Sequence, residues 1–231
     1  MRTAFVTGSS AGIGRAIAQR LLDDGWCVEG FDIAQPVIAH ANFRAHALDL
    51  ADDAAITVSI NAALANGTPQ ALVHAAGVLR VAPLGELQHG DGALMWQLHV
   101  AAATSIANLV LPAMRAAGQG RAVLIGSRVS RGIARRSQYA ATKAALVALA
   151  RSWAAEVIEA GVTVNVIAPA ATDTGMLTDP ARKTTRPRVP PLGRLIQPAE
   201  IAALTAYLLS PDAAAITGQE IAICGGASLP S

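Results

Sequence analysis

Residues 2–24 read RTAFVTGSSAGIGRAIAQRLLDD and decide the fold of this chain of 231 residues. Residues 2–7 are a short apolar run, the pattern of a buried strand. Gly8, Gly12 and Gly14 follow, with small residues between them. Residues 15–24 then carry Ala16, Ile17, Leu21 and Leu22 on one helical stripe. Strand, glycine turn and helix in that order can cradle a phosphate. The glycines let the backbone come close, and the helix start offers N–H groups and a positive dipole end. The spacing is not the G-x-G-x-x-G of the general dinucleotide fingerprint. Context therefore carries the reading, and a plain tight turn is the alternative.

Outward from this unit the alternation continues. Residues 27–31 form a second strand closed by Asp32, eighteen residues past Gly14 (32 − 14 = 18). An acid there can accept hydrogen bonds from the ribose hydroxyls of an adenosine and repels a 2′-phosphate. NAD rather than NADP is the expected cofactor. Arg15, beside the glycine turn, is the opposing charge, but no basic residue follows Asp32 directly. A strand over 43–48 ends at Asp49 and Leu50, a helix spans 52–65, and a strand spans 71–74. Ala75, Ala76 and Gly77 come next, small enough for a ligand to lie against the backbone. A second half follows, with a helix over 92–117 kinked at Pro112, a strand over 121–125 and a helix over 138–160. Strands over 162–168 and 218–224 flank a last helix over 198–209, with Pro198 in its first turn. Such alternation predicts one α/β domain, doubly wound, with a parallel sheet between two helical layers.

Residues 126–150, GSRVSRGIARRSQYAATKAALVALA, carry the chemistry. Tyr139 and Lys143 are four apart (143 − 139 = 4) on a run free of Gly and Pro, so they share a helix face. Ser127 lies twelve residues upstream (139 − 127 = 12), where a strand gives out. A hydroxyl, a phenol and an ammonium can thus meet at one sheet edge, which is equipment for proton transfer.

Apolar residues are 52% and charged residues 15% of the chain, too apolar for disorder and apolar enough to expect subunit contacts. A net charge of +2 gives no nucleic-acid signature. Cys27 and Cys224 lack metal-type spacing, so no metal site is expected and a reduced, cytoplasmic protein is the default. The chain opens on a strand rather than a signal sequence. Apolar stretches are broken at Pro112 and Arg115 and at Lys143 and Arg151, so no membrane span is expected. Residues 173–192 hold Pro180, Pro187, Pro190 and Pro191, which forbid a long helix; the expectation is a substrate lid at the carboxyl edge of the sheet.

Taken together, Thr7-Gly8-x-x-x-Gly12-Ile13-Gly14, Ala75-Ala76-Gly77, Ser127, Tyr139-x-x-x-Lys143 and Asn165-x-x-Ala168-Pro169 resemble the short-chain dehydrogenases/reductases. The likeness runs on through Pro191-Leu192-Gly193-Arg194, Thr217-Gly218 and Gly225-Gly226. It implies a three-layer doubly wound Rossmann fold with a seven-stranded parallel sheet, a nicotinamide cofactor and a homotetramer. Carried to these positions, Tyr139 resembles the catalytic acid/base, and Lys143 its pKa-lowering partner and a donor to the nicotinamide ribose. Ser127 resembles the group that orients the substrate oxygen, and His99 stands in the fourth catalytic position, usually Asn. Cofactor contacts are implied for Gly8, Ser10, Gly12, Ile13, Gly14, Asp32, Asp49 and Leu50. They are implied also for Ala75, Ala76, Gly77, Tyr139, Lys143, Pro169, Thr172 and Thr174. Besides His99, the chain departs from the pattern at His74 (usually Asn), Ala170 (usually Gly) and Cys224 (usually Asp).

Basic residues crowd the expected substrate rim. They are Arg80, then Arg128, Arg131, Arg135 and Arg136, then Arg182, Lys183, Arg186 and Arg188. Guanidinium groups suit carboxylates, so an anionic small-molecule substrate is expected, with solvation of loops as the plain alternative. Gly30-Phe-Asp32, residues 75–80 and Thr172-Asp-Thr174 are similar to the 2,3-dihydro-2,3-dihydroxybenzoate dehydrogenases, which implies a secondary alcohol of cyclic dihydrodiol type oxidised with NAD. A reductase of 3-oxoacyl substrates and a non-catalytic NAD-binding regulator remain open beside it.

Overall fold

The computed structural model describes residues 2–178 and 188–229. Seven strands, β1 (Thr3–Thr7), β2 (Cys27–Asp32), β3 (Phe43–Ala47), β4 (Ala71–His74), β5 (Gly120–Ile125), β6 (Val162–Pro169) and β7 (Glu220–Ile223), form one sheet. Their order is β3-β2-β1-β4-β5-β6-β7, and every pair is parallel. The helices are α1 (Gly12–Asp23), α2 (Asp53–Leu64), α3 (His89–Trp96), α4 (Ala102–Ala116), α5 (Ser137–Val157) and α6 (Pro198–Leu208). The seven-stranded Rossmann-like architecture expected from the resemblance is the one observed.

The three layers follow from strand alternation. Along β1, Phe5 points to one face while Ala4 and Val6 point to the other. The Phe5 face packs on apolar stripes of α2, α4 and α5, including Ile56, Ile106 and Leu146. The opposite face packs on α1 and α6 through Ile17, Leu21 and Ile201. Strand order reverses between β1 and β4, and the turns after both strands open at the same edge.

Two expectations are corrected. The helix expected over 92–117 is not one helix bent at Pro112. It starts at His89, opens into a π-turn at Gln97–Ala101, and then runs through Pro112 to Ala116. In the wide turn the Ala102 N–H bonds the Gln97 carbonyl rather than that of Leu98, its partner in an α-helix. His74 Nε2–H bonds the Leu98 carbonyl instead, at 3.1 Å. The second correction concerns apolar length. Despite Pro112 and Arg115, His89–Ala116 is a helical run of 28 residues, long and apolar enough by composition to cross a membrane. Half of its most apolar window is buried within this one chain, as in the core helix of a globular fold.

His74 itself, at the end of β4, is locked. Thr7 Oγ1 accepts the N–H groups of Ala75 (3.1 Å) and Ala76 (3.2 Å), so its own proton goes to His74 Nδ1 at 3.0 Å. Both imidazole nitrogens are therefore satisfied only in the neutral ring. Burial, then the charge of Lys143, lowers the pKa from 6.5 to about 4, against the hydrogen bond to Leu98. Between those values the unfolded chain binds the proton and the folded chain does not, so stability falls as pH drops through the window. This imidazole should contribute a loss of about 2 kcal/mol between pH 7 and pH 5. Denaturant titrations at the two pH values should show a correspondingly smaller loss for His74→Asn; equal losses in both proteins would contradict the locked neutral ring.

Candidate active site

At the carboxyl ends of the strands, over the point where strand order reverses, lies a cleft of about 1450 Å³. Its volume exceeds that of a single small-ligand pocket. One end is built by the turn after β1. Gly8, Gly12, Ile13 and Gly14 line it, and α1 starts there with its N–H groups free. Gly14 is required by closeness: a Cβ on it would lie 2.1 Å from the Gly8 carbonyl oxygen. Asp32 also lines the cleft. Its two oxygens accept the N–H groups of Ser10 and Ala34, each at 2.9 Å. A carboxylate has about four acceptor positions, so two remain for hydroxyl groups. Asp49, Leu50 and residues Ala75 to Gly77 continue this wall, and Pro169, Thr172 and Thr174 close the opposite one.

Two residues fall elsewhere. Ser10 does not line the cleft; its hydroxyl donates to the Ala34 carbonyl at 3.2 Å and its N–H holds Asp32. Arg15 lines a separate, smaller hollow with Gln19 and Asp173, away from Asp32. The small walls, the open helix start and the held carboxylate fit an adenine dinucleotide.

Farther along the cleft stand Ser127, Tyr139 and Lys143. Ser127 follows β5 and begins a single 3-10 turn, Arg128–Arg131. Its Oγ accepts the Val129 N–H at 3.3 Å, which leaves its own proton for a ligand. Tyr139 and Lys143 occupy one face of α5, and both are buried at the cleft wall. The Lys143 ammonium lies 5.7 Å from the centre of the Tyr139 ring and donates to the Ile125 carbonyl at 2.8 Å. Complete burial brings its pKa from 10.5 down to about 7. Two of its three N–H donors are left to face ligand or phenol.

His99, in the π-turn, also reaches the cleft but is bound on both sides. Its Nε2 accepts the Val78 N–H at 3.1 Å. Its Nδ1 is 2.8 Å from Thr142 Oγ1, which in turn donates to the Tyr139 carbonyl at 2.8 Å. Thr142 has one proton, so Nδ1 carries the ring proton and donates it. Burial, then the charges of Lys143 and His74, keeps this imidazole well below its ordinary pKa, against the bond from Val78. The His99 ring meets the Tyr139 ring edge-on, 5.5 Å between centres. Gly77 makes room for it, since a Cβ there would stand 2.5 Å from Nε2. Thr142 went unnoticed in the sequence reading; its place three residues after Tyr139 on a helix was the available signal.

The basic rim separates into groups. Arg128, Arg136 and Arg188 line the cleft. Arg80 instead faces Asp91 at 3.7 Å and donates to the Leu79 carbonyl, and Arg131 and Arg135 are exposed outside it. Arg182, Lys183 and Arg186, with Pro180 and Pro187, lie outside the described residues. Of the expected lid, residues 174–178 and 188–191 contribute Thr174, Gly175, Met176, Arg188 and Pro191 to the cleft.

Known proteins bear on this arrangement. A family model described as enoyl-(acyl carrier protein) reductase matches residues 8–228. A 3-oxoacyl-[acyl-carrier-protein] reductase of Vibrio cholerae is 35% identical, over 97% of this chain and 96% of that one. An oxidoreductase of Escherichia coli O157:H7 is 30% identical, over 99% of this chain and 95% of that one. Among solved structures, ligand-free aldohexose dehydrogenase of Thermoplasma acidophilum superposes with a TM-score of 0.91 at 25% identity, covering 100% of this chain and 95% of that one. Seven parallel strands in this order, a glycine cradle at the reversal point and matches spanning nearly the full length lead to one conclusion: the chain belongs to the short-chain dehydrogenase/reductase family, the NAD(P)-dependent oxidoreductases that act on CH–OH and C=O groups.

Proposed function

We propose that this single domain transfers hydride between NAD and a secondary alcohol or ketone, with Tyr139 as acid/base. The observation that carries the proposal is the convergence of Ser127, Tyr139 and Lys143 on one cleft whose far end holds Asp32. The bound nicotinamide supplies the hydride acceptor or donor. The chain's own residues handle the proton. In oxidation, the Ser127 hydroxyl binds the carbinol oxygen and Tyr139 takes its proton; in reduction the tyrosine returns it. A free phenol has a pKa of about 10, and bringing it near 7 needs about 4 kcal/mol of preference for the phenolate. One cation at about 4 Å supplies about that much at an effective dielectric near 20. Lys143 is placed for this role, and its remaining donors suit a ribose. Phenolate and ammonium favour each other, so the pair titrates as one unit.

Asp32 supports NAD over NADP, because its carboxylate, held by the Ser10 and Ala34 N–H groups at the cleft, would accept hydrogen bonds from ribose hydroxyls and repel a 2′-phosphate. His99 acts as a positioning residue rather than a proton carrier, since both ring nitrogens are already bound. The described ends of the expected lid, residues 174–178 and 188–189, line the cleft on the side where a substrate would enter, and the chain assembles as a homotetramer through α4, α5 and β7. A cyclic dihydrodiol is the substrate type that the local likeness favours. The 3-oxoacyl reductase reading is favoured by the relatives at 34–35% identity.

Purified protein with NAD⁺ and a panel of cyclic alcohols should produce absorbance at the NADH band, while 3-oxoacyl thioesters with NADH test the second reading. Tyr139→Phe should lower turnover at least 100-fold and leave NAD⁺ affinity within twofold. Tight NAD⁺ binding with no turnover on either panel would point to a regulator instead. NAD⁺ should be preferred to NADP⁺ at least tenfold in kcat/KM, and Asp32→Ala should erase most of that ratio; a wild-type preference for NADP⁺ would sink the assignment of Asp32. His99→Leu strands the Val78 N–H, at about 1–3 kcal/mol, and takes from the Thr142 hydroxyl the bond it accepts, while that hydroxyl still donates to Tyr139. It should lower kcat while leaving the midpoint of the kcat–pH profile in place; a moved midpoint would make His99 a proton relay.

A further inference from the structure

Two guanidinium groups stand in the substrate half of the cleft with no acidic partner among the described residues. Arg136 is half-buried, precedes α5 directly and lines the cleft with Ser127 and Tyr139. Among the described residues it has neither an ion pair nor a side-chain hydrogen bond. Arg128 donates Nη2 to the Ala227 carbonyl at 2.6 Å, and its Nε is buried without a partner among the described residues. No acidic residue among those described pairs with it either. Burial pushes the Arg136 pKa down from its ordinary value; the nearby Tyr139 opposes the shift, and the charge of Arg128 adds to it. A desolvated cation beside a second cation is unfavourable unless an anion joins them. The rest of this wall is apolar, built by Leu79, Leu94, Val129 and Ile133.

We propose that Arg136 and Arg128 form an anion subsite that takes a carboxylate of the substrate, which makes the substrate a hydroxy or oxo acid with a compact apolar body. The assignment rests on reading the same cleft as the hydride-transfer site. Arg136 and Tyr139 are three residues apart, and helix neighbours at that spacing have Cβ atoms about 5–6 Å apart. Arg136 stands just before the first residue of α5 and Tyr139 is its third, and both line the cleft, so a carboxylate held by the arginine shares the part of the cleft that the phenol faces. A 3-oxoacyl thioester on a carrier protein holds its charged group many bonds farther away. A planar guanidinium binds carboxylate through two parallel N–H bonds, so lysine is a partial substitute only.

Benzoate and benzamide, titrated calorimetrically into the protein saturated with NAD⁺, test this without turnover. Benzoate should bind at least tenfold more tightly than benzamide. Arg136→Gln should remove that difference, Arg136→Lys should keep part of it, and NAD⁺ affinity should stay within twofold in both. Equal binding of the two probes, no binding of either, or unchanged benzoate affinity in Arg136→Gln and Arg128→Gln would each overturn the subsite. A tenfold loss of NAD⁺ affinity in Arg136→Gln would assign the arginines to the cofactor phosphates and overturn it as well. Arginine-dependent benzoate binding with no turnover on any panel would leave the subsite standing and remove the hydride-transfer reading.

Discussion

A lysine ammonium sealed in the protein is the constraint to which the surrounding structure answers. Lys143 is 5% exposed and holds one carbonyl, that of Ile125. A desolvated cation tolerates no second cation close by, yet two imidazoles, His74 and His99, lie near enough for its charge to act on both. Their hydrogen bonds resolve the conflict. Each ring receives one proton from a neighbour and gives one away, so a further proton would face a donor on either ring. Neutrality is thus written into the bonding of Thr7, Leu98, Val78 and Thr142. Of the three, only the ammonium carries a positive charge.

The same bonds tie parts of the cleft together. Thr7 ends β1, His74 ends β4, and Leu98 belongs to the turn between α3 and α4. His99 then joins that turn to Val78 on one side and, through Thr142, to the backbone of Tyr139 on the other. The turn after β4 and the backbone of Tyr139 are therefore held in one hydrogen-bonded frame rather than on separate loops.

Much of this was legible in the sequence. The alternation of apolar runs and helical stripes gave the doubly wound sheet, because inner strands of a parallel sheet such as β1, β4 and β6 are buried on both faces and read as blocks. Asp32, Ser127, Tyr139 and Lys143 were legible because each sits at a strand end or at helical spacing. Other features were not. The π-turn has no local signature in Gln97–Ala101; it depends on His74 arriving from another strand. The bond from the Ser10 hydroxyl to Ala34 was not legible either, because a position beside the glycines says nothing of a residue on the next loop. Nor could spacing separate Arg136 from Arg135. Arg135 takes a positive φ of 67° and its carbonyl accepts the Ala82 N–H, and that kink turns only its neighbour to the cleft.

The π-turn also has a rotational consequence. With 3.6 residues per turn, each residue added to or removed from a helix swings everything beyond it by about 100° around the axis. The i+5 bond at Gln97–Ala102 slips the register by one residue. One phase suits α3, which packs on α5 beside the cleft; the other suits α4, which packs on α2 and the sheet. An uninterrupted α-helix over this run would carry a single apolar stripe and could serve only one of those surfaces. The slipped register lets one continuous rod face the reaction at its start and the core along the rest of its length.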